Sequence, residues 1–400
     1  MNERPLISMA ILSYKNYKYI KEALDSVFIQ DYPNIQLIIS NDGSDDFDES
    51  DLILYINNNR KENIQSVYIN NNECNIGTVK NVNLVRSKAD GEFLMLMAAD
   101  DALYDEYVLS RFVDEFKRLG PDAYIVSART AMCGHDLSEV IEIFPDDEGI
   151  KAIKTLSSQE MFSRLSHTFT IPTTSTCYRM SLYDRIGEYN EDYFIIEDAP
   201  LFVKLARLGY KFYWIDDMIA ARHRDGGISH GNVNSLSEAY RKYQYDEILI
   251  YKNEILPYKS MILKRDYKQM LRKWKYINHA YQQTYILPNL HGKEKIQHYI
   301  KTSPLLIRKF LKRTKEKVIE LSYDDYFCKI FLILILFSFI DYIMLYSGLF
   351  IPVTGIGLGN NLLLFFGSIT LLCSILLFLM YVIRIVYRLY LAVKYIILGR

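Results

Sequence analysis

Cysteine is scarce in this chain of 400 residues, and its few copies follow no pattern. There are five, an odd number, and no two have the Cys-x-x-Cys spacing typical of zinc or redox sites. This argues against a disulfide framework and favours a reducing compartment. The chain also lacks an excess of either charge, because 47 basic and 48 acidic residues leave a formal net charge of −1. Nothing global therefore points to a partner nucleic acid.

The first residues lack the features of a secretory signal peptide. Residues 1–5 have no basic region, and the apolar run at 6–12 is too short for the core of such a signal. We interpret that run as a first β-strand. Half of all residues are apolar, so a chain of this length can bury a sizeable core in two or three structural units.

Apolar runs and helical spacings alternate over the first hundred residues. Strands are predicted at residues 6–12, 35–39, 67–69 and 93–97. Between the first two, Ile20, Leu24, Val27 and Phe28 recur at helical spacing. Strands that alternate with helices predict a parallel sheet with right-handed crossovers, and hence an α/β fold. From residue 103 to about 231 the pattern is mixed, which predicts an extension of the sheet.

The apolar run at residues 93–97 is followed by two adjacent carboxylates, Asp100 and Asp101. Open α/β sheets bind ligands beyond the carboxyl ends of their strands. Two acids placed there suit a divalent cation and the diphosphate that it neutralises. Taken alone, however, the pair is more typical of an Asp-rich turn after a strand.

Several motifs in a fixed order together resemble the family 2 glycosyltransferases, with their GT-A fold. The resemblance covers about residues 5–230. It rests on residues 7–14, 31–35, 37–44, 75–81, 90–101, 186–189 and 196–199. It implies an inverting enzyme that transfers a sugar from a nucleotide-sugar, with a UDP-sugar as the expected donor.

The resemblance also implies which residues hold the donor. Asp42 would accept the base N–H of a uracil, Ser13 would border the nucleotide, and Lys80 and Asn81 would face the donor. Two of these have simpler explanations, since Asp42 lies in an Asp-Gly turn and Lys80 suits a solvated surface.

The acid pair matches the metal motif of the family. The resemblance implies that Asp101 coordinates Mn²⁺ or Mg²⁺, and that Asp100 contacts the ribose or a bound water. The cation would neutralise charge on the departing diphosphate. Many members carry another acid two positions before Asp100, where this chain has Ala98. His223 would complete the metal shell or bind the diphosphate, with an ordinary loop histidine as the alternative.

Asp198 is the predicted general base, and Glu197 would support or orient it. Inverting transfer is a single displacement in which a carboxylate takes the proton of the acceptor hydroxyl. The two acids precede an apolar, helical pattern at residues 201–208. Because a helix N-terminus favours negative charge, capping of that helix is the structural alternative.

Beyond residue 231 the composition changes twice. Residues 232–326 are polar, rich in tyrosine and lysine, and predicted to be helical. Within this segment, residues 291–320 include nine basic and three acidic residues, which gives them a net charge of +6. This favours a basic amphipathic helix on an anionic membrane surface, with a solvated helical face as the alternative. Residues 327–400 contain two long apolar stretches, 330–350, whose sole charge is Asp341, and the uncharged 362–383.

Each apolar stretch is long enough to span about 30 Å of hydrocarbon. Basic residues flank both outer ends and are absent from the loop at 351–361, which places the flanks in the cytoplasm. The sequence thus predicts a transmembrane hairpin, with two buried helices of a soluble domain as the alternative. The sequence pattern assigns no role to Asp341.

Together these patterns predict three parts: a GT-A domain at 1–231, a helical membrane-proximal segment at 232–326, and a hairpin at 327–400. The predicted protein is a multi-pass enzyme of the bacterial cytoplasmic membrane that faces the cytoplasm. Its expected acceptor is a lipid-linked glycan on a polyprenyl diphosphate, as in O-antigen or capsule assembly.

Two other functions stay open. One is a processive polysaccharide synthase, since residues 269–274 resemble the Gln-x-x-Arg-Trp signature of such enzymes. An extra residue separates Arg272 from Trp274, however, which favours a non-processive transferase. The other is a non-catalytic, membrane-tethered module that binds nucleotide or glycan.

Overall fold

A computed structural model of the chain describes residues 4–225 and 237–290, together with the single positions 379, 382, 383 and 387. The strands are β1 Ile7–Ser13, β2 Ile35–Asn41, β3 Ile64–Asn71, β4 Phe93–Ala98, β5 Ala102–Leu103, β6 Ile125–Cys133, β7 Val140–Phe144, β8 Thr176–Arg179 and β9 Tyr213–Arg224. The α-helices are α1 Ile20–Phe28, α2 Glu49–Asn59, α3 Thr78–Lys88, α4 Val108–Leu119, α5 Asp147–Thr155, α6 Ser158–Leu165, α7 Ser181–Ile186, α8 Asp198–Arg207, α9 Glu238–Leu249 and α10 Lys264–Tyr281.

The first four strands form the parallel half of a single sheet, in the order β3-β2-β1-β4. Every residue of β2 and nearly every residue of β1 is buried, because helices cover both faces of the sheet. On one face, α1 buries Ile20, Leu24, Val27 and Phe28. The predicted α/β fold, and the helical spacing of these four residues, are confirmed.

The second half extends the sheet, as the sequence predicted, and it contains both parallel and antiparallel strand pairs. β8 pairs antiparallel with both β4 and β6, while β9 runs parallel to β6 and antiparallel to β5. β7 adds to β6 as an antiparallel neighbour. The last residues of β9 thereby lie next to the acid pair that follows β4.

Helices α9 and α10 share a hydrophobic core with the α/β domain and belong to the same compact unit, which spans Met1–Asn289. The Tyr251 ring, just after α9, stacks on Trp274 of α10 with 5.2 Å between the ring centroids. Ile248 and Ile255 are buried in the same core as Phe202 of α8. The compact unit therefore continues well past residue 231, the predicted end of the GT-A domain.

None of the helices among the described residues is long and apolar enough to cross a membrane. The two predicted spans, 330–350 and 362–383, lie almost entirely outside the described residues. The hairpin thus stays a prediction.

Candidate active site

The carboxyl ends of β1, β2 and β4 meet at one edge of the sheet. Ser13 pairs with Asn41 in register, and the backbone N–H of Ala99 donates to Leu12 O over 2.8 Å. Ser13 Oγ donates to Asn16 Oδ1 over 3.0 Å, and Asn16 Nδ2 donates to Asp100 Oδ1 over 2.9 Å. Asn16 therefore ties the end of the first strand to the acid pair.

Asp101 lies beneath this edge, with only 1% of its surface exposed. Its Oδ1 accepts from the backbone N–H of Arg224 over 3.1 Å, and its Oδ2 accepts from Thr174 Oγ1 over 3.3 Å. His223 Nδ1 lies 3.0 Å from the same Oδ2. Both carboxylate oxygens of Asp101 are thus engaged by groups of the protein itself.

Arg224 fixes the end of β9 in this position. Its guanidinium is buried, donates from Nε to Asp100 O over 3.0 Å, and also binds His135 O and the carboxylate of Glu22 on α1. The Tyr19 ring lies under the guanidinium at 4.1 Å. These contacts hold Arg224 on several sides and make the end of β9 rigid. The neighbouring His223 is thereby fixed next to the acid pair.

The acid pair and His223 perturb one another. Burial, and then the charge of Asp101, raise the pKa of Asp100 above its ordinary value. Burial by itself would lower the pKa of His223, but the hydrogen bond to Asp101 and the charges of both aspartates outweigh it and raise the pKa. A protonated His223 next to Asp101 is therefore favoured at this edge.

Two adjacent threonines join the acid pair to the predicted base. Thr174 Oγ1 donates to Asp101, while Thr173 Oγ1 donates to Oδ2 of Asp198. Oδ1 of Asp198 accepts from the backbone N–H of Ala199 over 2.6 Å, in the first turn of α8. The loop before β8 thus holds Asp101 and Asp198 at the same site, although they are almost a hundred positions apart.

Asp198 and Glu197 are partly accessible to solvent, yet they lie among enough protein to resist ionisation. Burial raises the pKa of Asp198 despite the hydrogen bonds from Thr173 and Ala199. Burial, and then the charge of Asp198, raise the pKa of Glu197 to about 8. The pair therefore keeps one carboxyl group protonated near neutral pH while the other can be ionised, and a raised pKa strengthens the ionised group as a base.

Asp246 of α9 anchors the loop that leads into this pair. Its two carboxylate oxygens accept from three consecutive backbone N–H groups, those of Phe194 (3.1 and 3.0 Å), Ile195 (2.6 Å) and Ile196 (3.0 Å). The Asp246 side chain is 1% exposed. Glu197 and Asp198 follow directly on this anchored backbone, so α9 determines where they lie.

Asp42 is placed at the same sheet edge, but its carboxylate binds the protein. It accepts from the backbone N–H of Ile76 over 2.9 Å and of Gly77 over 3.0 Å, and from Asn72 Nδ2 over 3.1 Å. Gly77 has φ +95°, and a Cβ there would lie 2.7 Å from Phe194 O. Asp42 thus fixes the turn before α3; its predicted contact with a uracil stays a prediction.

Lys80 and Asn81 of α3 have different surroundings. Lys80 is exposed and, among the described residues, forms no hydrogen bond or ion pair. Asn81 is buried, and its Oδ1 accepts from Ser40 Oγ on β2. Asn81 therefore joins α3 to the sheet, and the structure does not bring the two side chains together at one site.

The predicted metal ligands Asp100, Asp101 and His223 do meet, and two carboxylates with an imidazole are chemically suited to Mn²⁺ or Mg²⁺. As they lie, however, they form a hydrogen-bonded cluster in which the oxygens of Asp101 are already engaged. Within the described ranges, no three His, Cys, Asp or Glu side chains are placed to hold a metal ion. This arrangement does not fit a metal ion, and we derive no step through one.

Comparison with known proteins agrees with this α/β domain. Residues 8–187 match the family model described as glycosyl transferase family 2. The chain carries a family 2 glycosyl transferase domain. The resemblance seen in the sequence is thereby confirmed. Asp198 and His223 lie beyond the matched residues, so the match does not test their roles.

Two relatives of this chain are also described as glycosyltransferases. An uncharacterised glycosyltransferase of Rickettsia typhi is 26% identical over 239 residues, covering 58% of this chain and 69% of the relative. An uncharacterised glycosyltransferase of Haemophilus influenzae is 22% identical over 260 residues, covering 64% and 77%.

Two solved structures are also similar. S. aureus TarS 1–349 in complex with UDP has a TM-score of 0.46 at 18% identity, covering 73% of this chain and 77% of that one. A mannosyltransferase from Pyrobaculum calidifontis in complex with GDP-Man and Mn²⁺ has a TM-score of 0.47 at 15% identity, covering 76% and 81%.

The residues on α10 that resemble the synthase signature do not form one site. Gln269 and Arg272 are exposed on α10, whereas Trp274 is turned inward and stacks on Tyr251. In an α-helix, positions two apart project in different directions. Arg272 and Trp274 therefore project from different sides of α10.

Four residues of the site were not predicted from the sequence: Asn16, Thr173, Thr174 and Asp246. The threonines lie in Pro-Thr-Thr-Ser-Thr, a run of hydroxyl side chains before a buried strand, and that polarity was an available signal. Asn16 follows β1 by only three residues. Asp246 gave no such signal, because an acid in a polar helix is ordinarily solvated.

Proposed function

We propose that this family 2 protein is an inverting glycosyltransferase in which Asp198 is the general base. The observation that carries the proposal is the pair of threonine hydrogen bonds that join Asp198 to the strand-end acids. A base must lie beside the donor site to deprotonate an acceptor bound there. The proposed donor is a UDP-sugar, which the family resemblance supports.

The reaction is a single displacement. The acceptor hydroxyl gives its proton to the Asp198 carboxylate, its oxygen forms a bond to the anomeric carbon, and the bond from that carbon to the diphosphate oxygen breaks. Thr173 and the N–H of Ala199 each hold one oxygen of Asp198, which fixes the direction of its remaining lone pairs. The N-terminus of α8 stabilises its negative charge.

His223 is proposed to face the departing diphosphate. Its raised pKa and its position on the rigid end of β9 support a positive charge there. Lys80 is exposed at the start of α3 and is proposed to contact the donor from the opposite side.

We further propose a lipid-linked glycan as the acceptor, made at the cytoplasmic face of a bacterial membrane for a surface polysaccharide such as O-antigen or capsule. The two long apolar stretches and the basic segment at 291–320 support this proposal. A membrane-tethered enzyme raises the effective concentration of such an acceptor.

The test is Asp198→Asn in the full chain, assayed for transfer from a panel of nucleotide-sugars to a membrane lipid extract. Loss of a general base lowers kcat by about 10²–10⁴-fold. The matched control is Asp192→Asn, an exposed aspartate six positions upstream. If correctly folded Asp198→Asn turns over like the control, Asp198 is not the base. Calorimetric titration with UDP separates a donor-binding enzyme from a glycan-binding module.

A further inference from the structure

The solvent-facing side of α10 carries charge of one sign. Its exposed residues are basic, apart from one glutamine and one tyrosine, and include no acid: Lys264, Arg265, Lys268, Gln269, Arg272, Lys275 and Tyr276. Surfaces of soluble domains ordinarily intersperse both signs. Solubility alone therefore does not account for this face.

Four of these basic side chains recur every three or four residues, so they form one stripe about 16 Å long. The stripe consists of Lys264, Lys268, Arg272 and Lys275. None of the four forms an ion pair within the part of the chain that the structure describes. The opposite side of the helix is buried in the core through Met270, Ile277 and Tyr281. The stripe therefore lies on the outer surface with its charge uncompensated.

Tyr276 borders the stripe and is 70% exposed. An exposed tyrosine has an apolar ring and a polar hydroxyl, a combination enriched at the headgroup level of membranes. Basic side chains next to such a ring are typical of surfaces that lie on a bilayer.

We propose that this stripe docks the domain on an anionic lipid bilayer. The inference rests on the membrane placement proposed above, and it names the face of the folded domain that meets the lipid. An acidic protein or a nucleic acid would present similar charge. A bilayer is favoured because the chain after α10 continues with a net charge of +6 over residues 291–320 and then holds two long apolar stretches.

Docking through α10 would bring the proposed base close to the membrane. α10 packs on α9, where the Tyr281 and Tyr245 rings lie 5.8 Å apart, and α9 holds the base loop through Asp246. Helix axes in contact lie 8–10 Å apart, so the base loop would lie roughly 20 Å from the headgroups. That distance suits an acceptor whose lipid remains in the bilayer.

The test is amine labelling of the full chain on vesicles, read by mass spectrometry at Lys264, Lys268 and Lys275. One set of vesicles is phosphatidylcholine and the other is a mixture with phosphatidylglycerol. A basic residue near an anionic surface gains roughly fivefold in association. The stripe should therefore dock more often on the anionic vesicles, and labelling of the three lysines should fall there relative to the phosphatidylcholine vesicles. The exposed Lys61 serves as the reference and should not change. High salt should abolish the protection.

Each other outcome overturns the inference. If the chain binds both kinds of vesicle and the three lysines label equally, the membrane placement stands but α10 is not the docking face. If the chain binds neither, both proposals fail. Equal protection by an acidic polynucleotide without vesicles would assign the stripe to another partner.

A neutralised variant gives a second measurement. Lys268→Gln, Arg272→Gln and Lys275→Gln together should weaken the preference of the full chain for anionic vesicles, although the basic segment at 291–320 is unchanged. The matched control, Arg60→Gln with Lys61→Gln and Lys88→Gln, removes the same charge elsewhere and should keep that preference. Equal behaviour of the two variants would also refute the docking face.

Discussion

Replacing Asp246 should disable the proposed transferase from a position that touches no substrate. Asp246→Ala leaves three consecutive backbone N–H groups without their acceptor. A hydrogen bond contributes about 1 kcal/mol net, so the three contribute about 3 kcal/mol to the free energy of unfolding. Burial raises the pKa of Asp246, which shows that placing this carboxylate in the fold opposes part of that gain. We therefore expect a loss of about 2–3 kcal/mol.

The rate should fall further than stability explains. The backbone at 194–196 leads directly into Glu197 and Asp198, and a displacement of about 1 Å at a reacting group lowers a rate by about 100-fold. Because the donor edge is built by other strands, kcat should fall while the KM for the donor stays nearly unchanged. Asp246→Asn keeps one acceptor oxygen and should lie between the wild type and the alanine variant.

The assay combines urea unfolding with kcat and KM at a urea concentration of zero, where the variant is still folded. The control is Glu238→Ala on the same helix, which removes an exposed pair with Lys242 at 3.4 Å and should change stability by no more than about 0.5 kcal/mol. An Asp246→Ala protein with the stability and turnover of that control would refute the anchoring role.

Three more predictions follow from the site. Burial raises the pKa of Asp198, so activity should rise with pH over a range above the ordinary pKa of an aspartate. The hydrogen bond from Thr173 lowers this pKa. Thr173→Val removes that bond and should move the rise to higher pH in a pH–rate profile. Folding raises the pKa of Glu197 from 4.5 to about 8. Between pH 4.5 and about pH 8, the folded chain therefore keeps a proton on Glu197 that the unfolded chain has released. The free energy of unfolding should thus fall as pH increases across that range, and Glu197→Gln should reduce the slope. Both carboxylate oxygens of Asp101 already bind the protein, so Asp101→Asn should lower the free energy of unfolding by about 1–3 kcal/mol, as measured by urea unfolding.

Local patterns predicted the strand ends well. The acid pair after β4 and the turn after β2 were placed correctly because an apolar run followed by polar residues marks where a buried strand ends. The four apolar residues of α1 were found for the same reason, since helical spacing is a property of a short window. The prediction of these features depends only on residues that are close in the sequence.

The partners of those residues depended on tertiary structure. Asp42 was expected at the sheet edge and lies there, yet only the fold shows that the N–H groups of Ile76 and Gly77 bind its carboxylate. Asp246 meets Phe194 across 52 positions, and no pattern within either segment encodes that contact. The end of the compact unit was also missed, because polar composition after residue 231 concealed the buried face of α9 and α10.

The adjacency of Thr173 and Thr174 has a consequence for how the two substrates bind. Neighbouring Cα atoms are about 3.8 Å apart, so a backbone movement that follows one aspartate also moves the threonine that binds the other. A donor that displaces Asp101 and an acceptor that displaces Asp198 would then act on one shared element. Binding of the donor and of the acceptor is therefore expected to be thermodynamically linked. If the bound donor changes the affinity for the acceptor by some factor, the bound acceptor must change the affinity for the donor by the same factor.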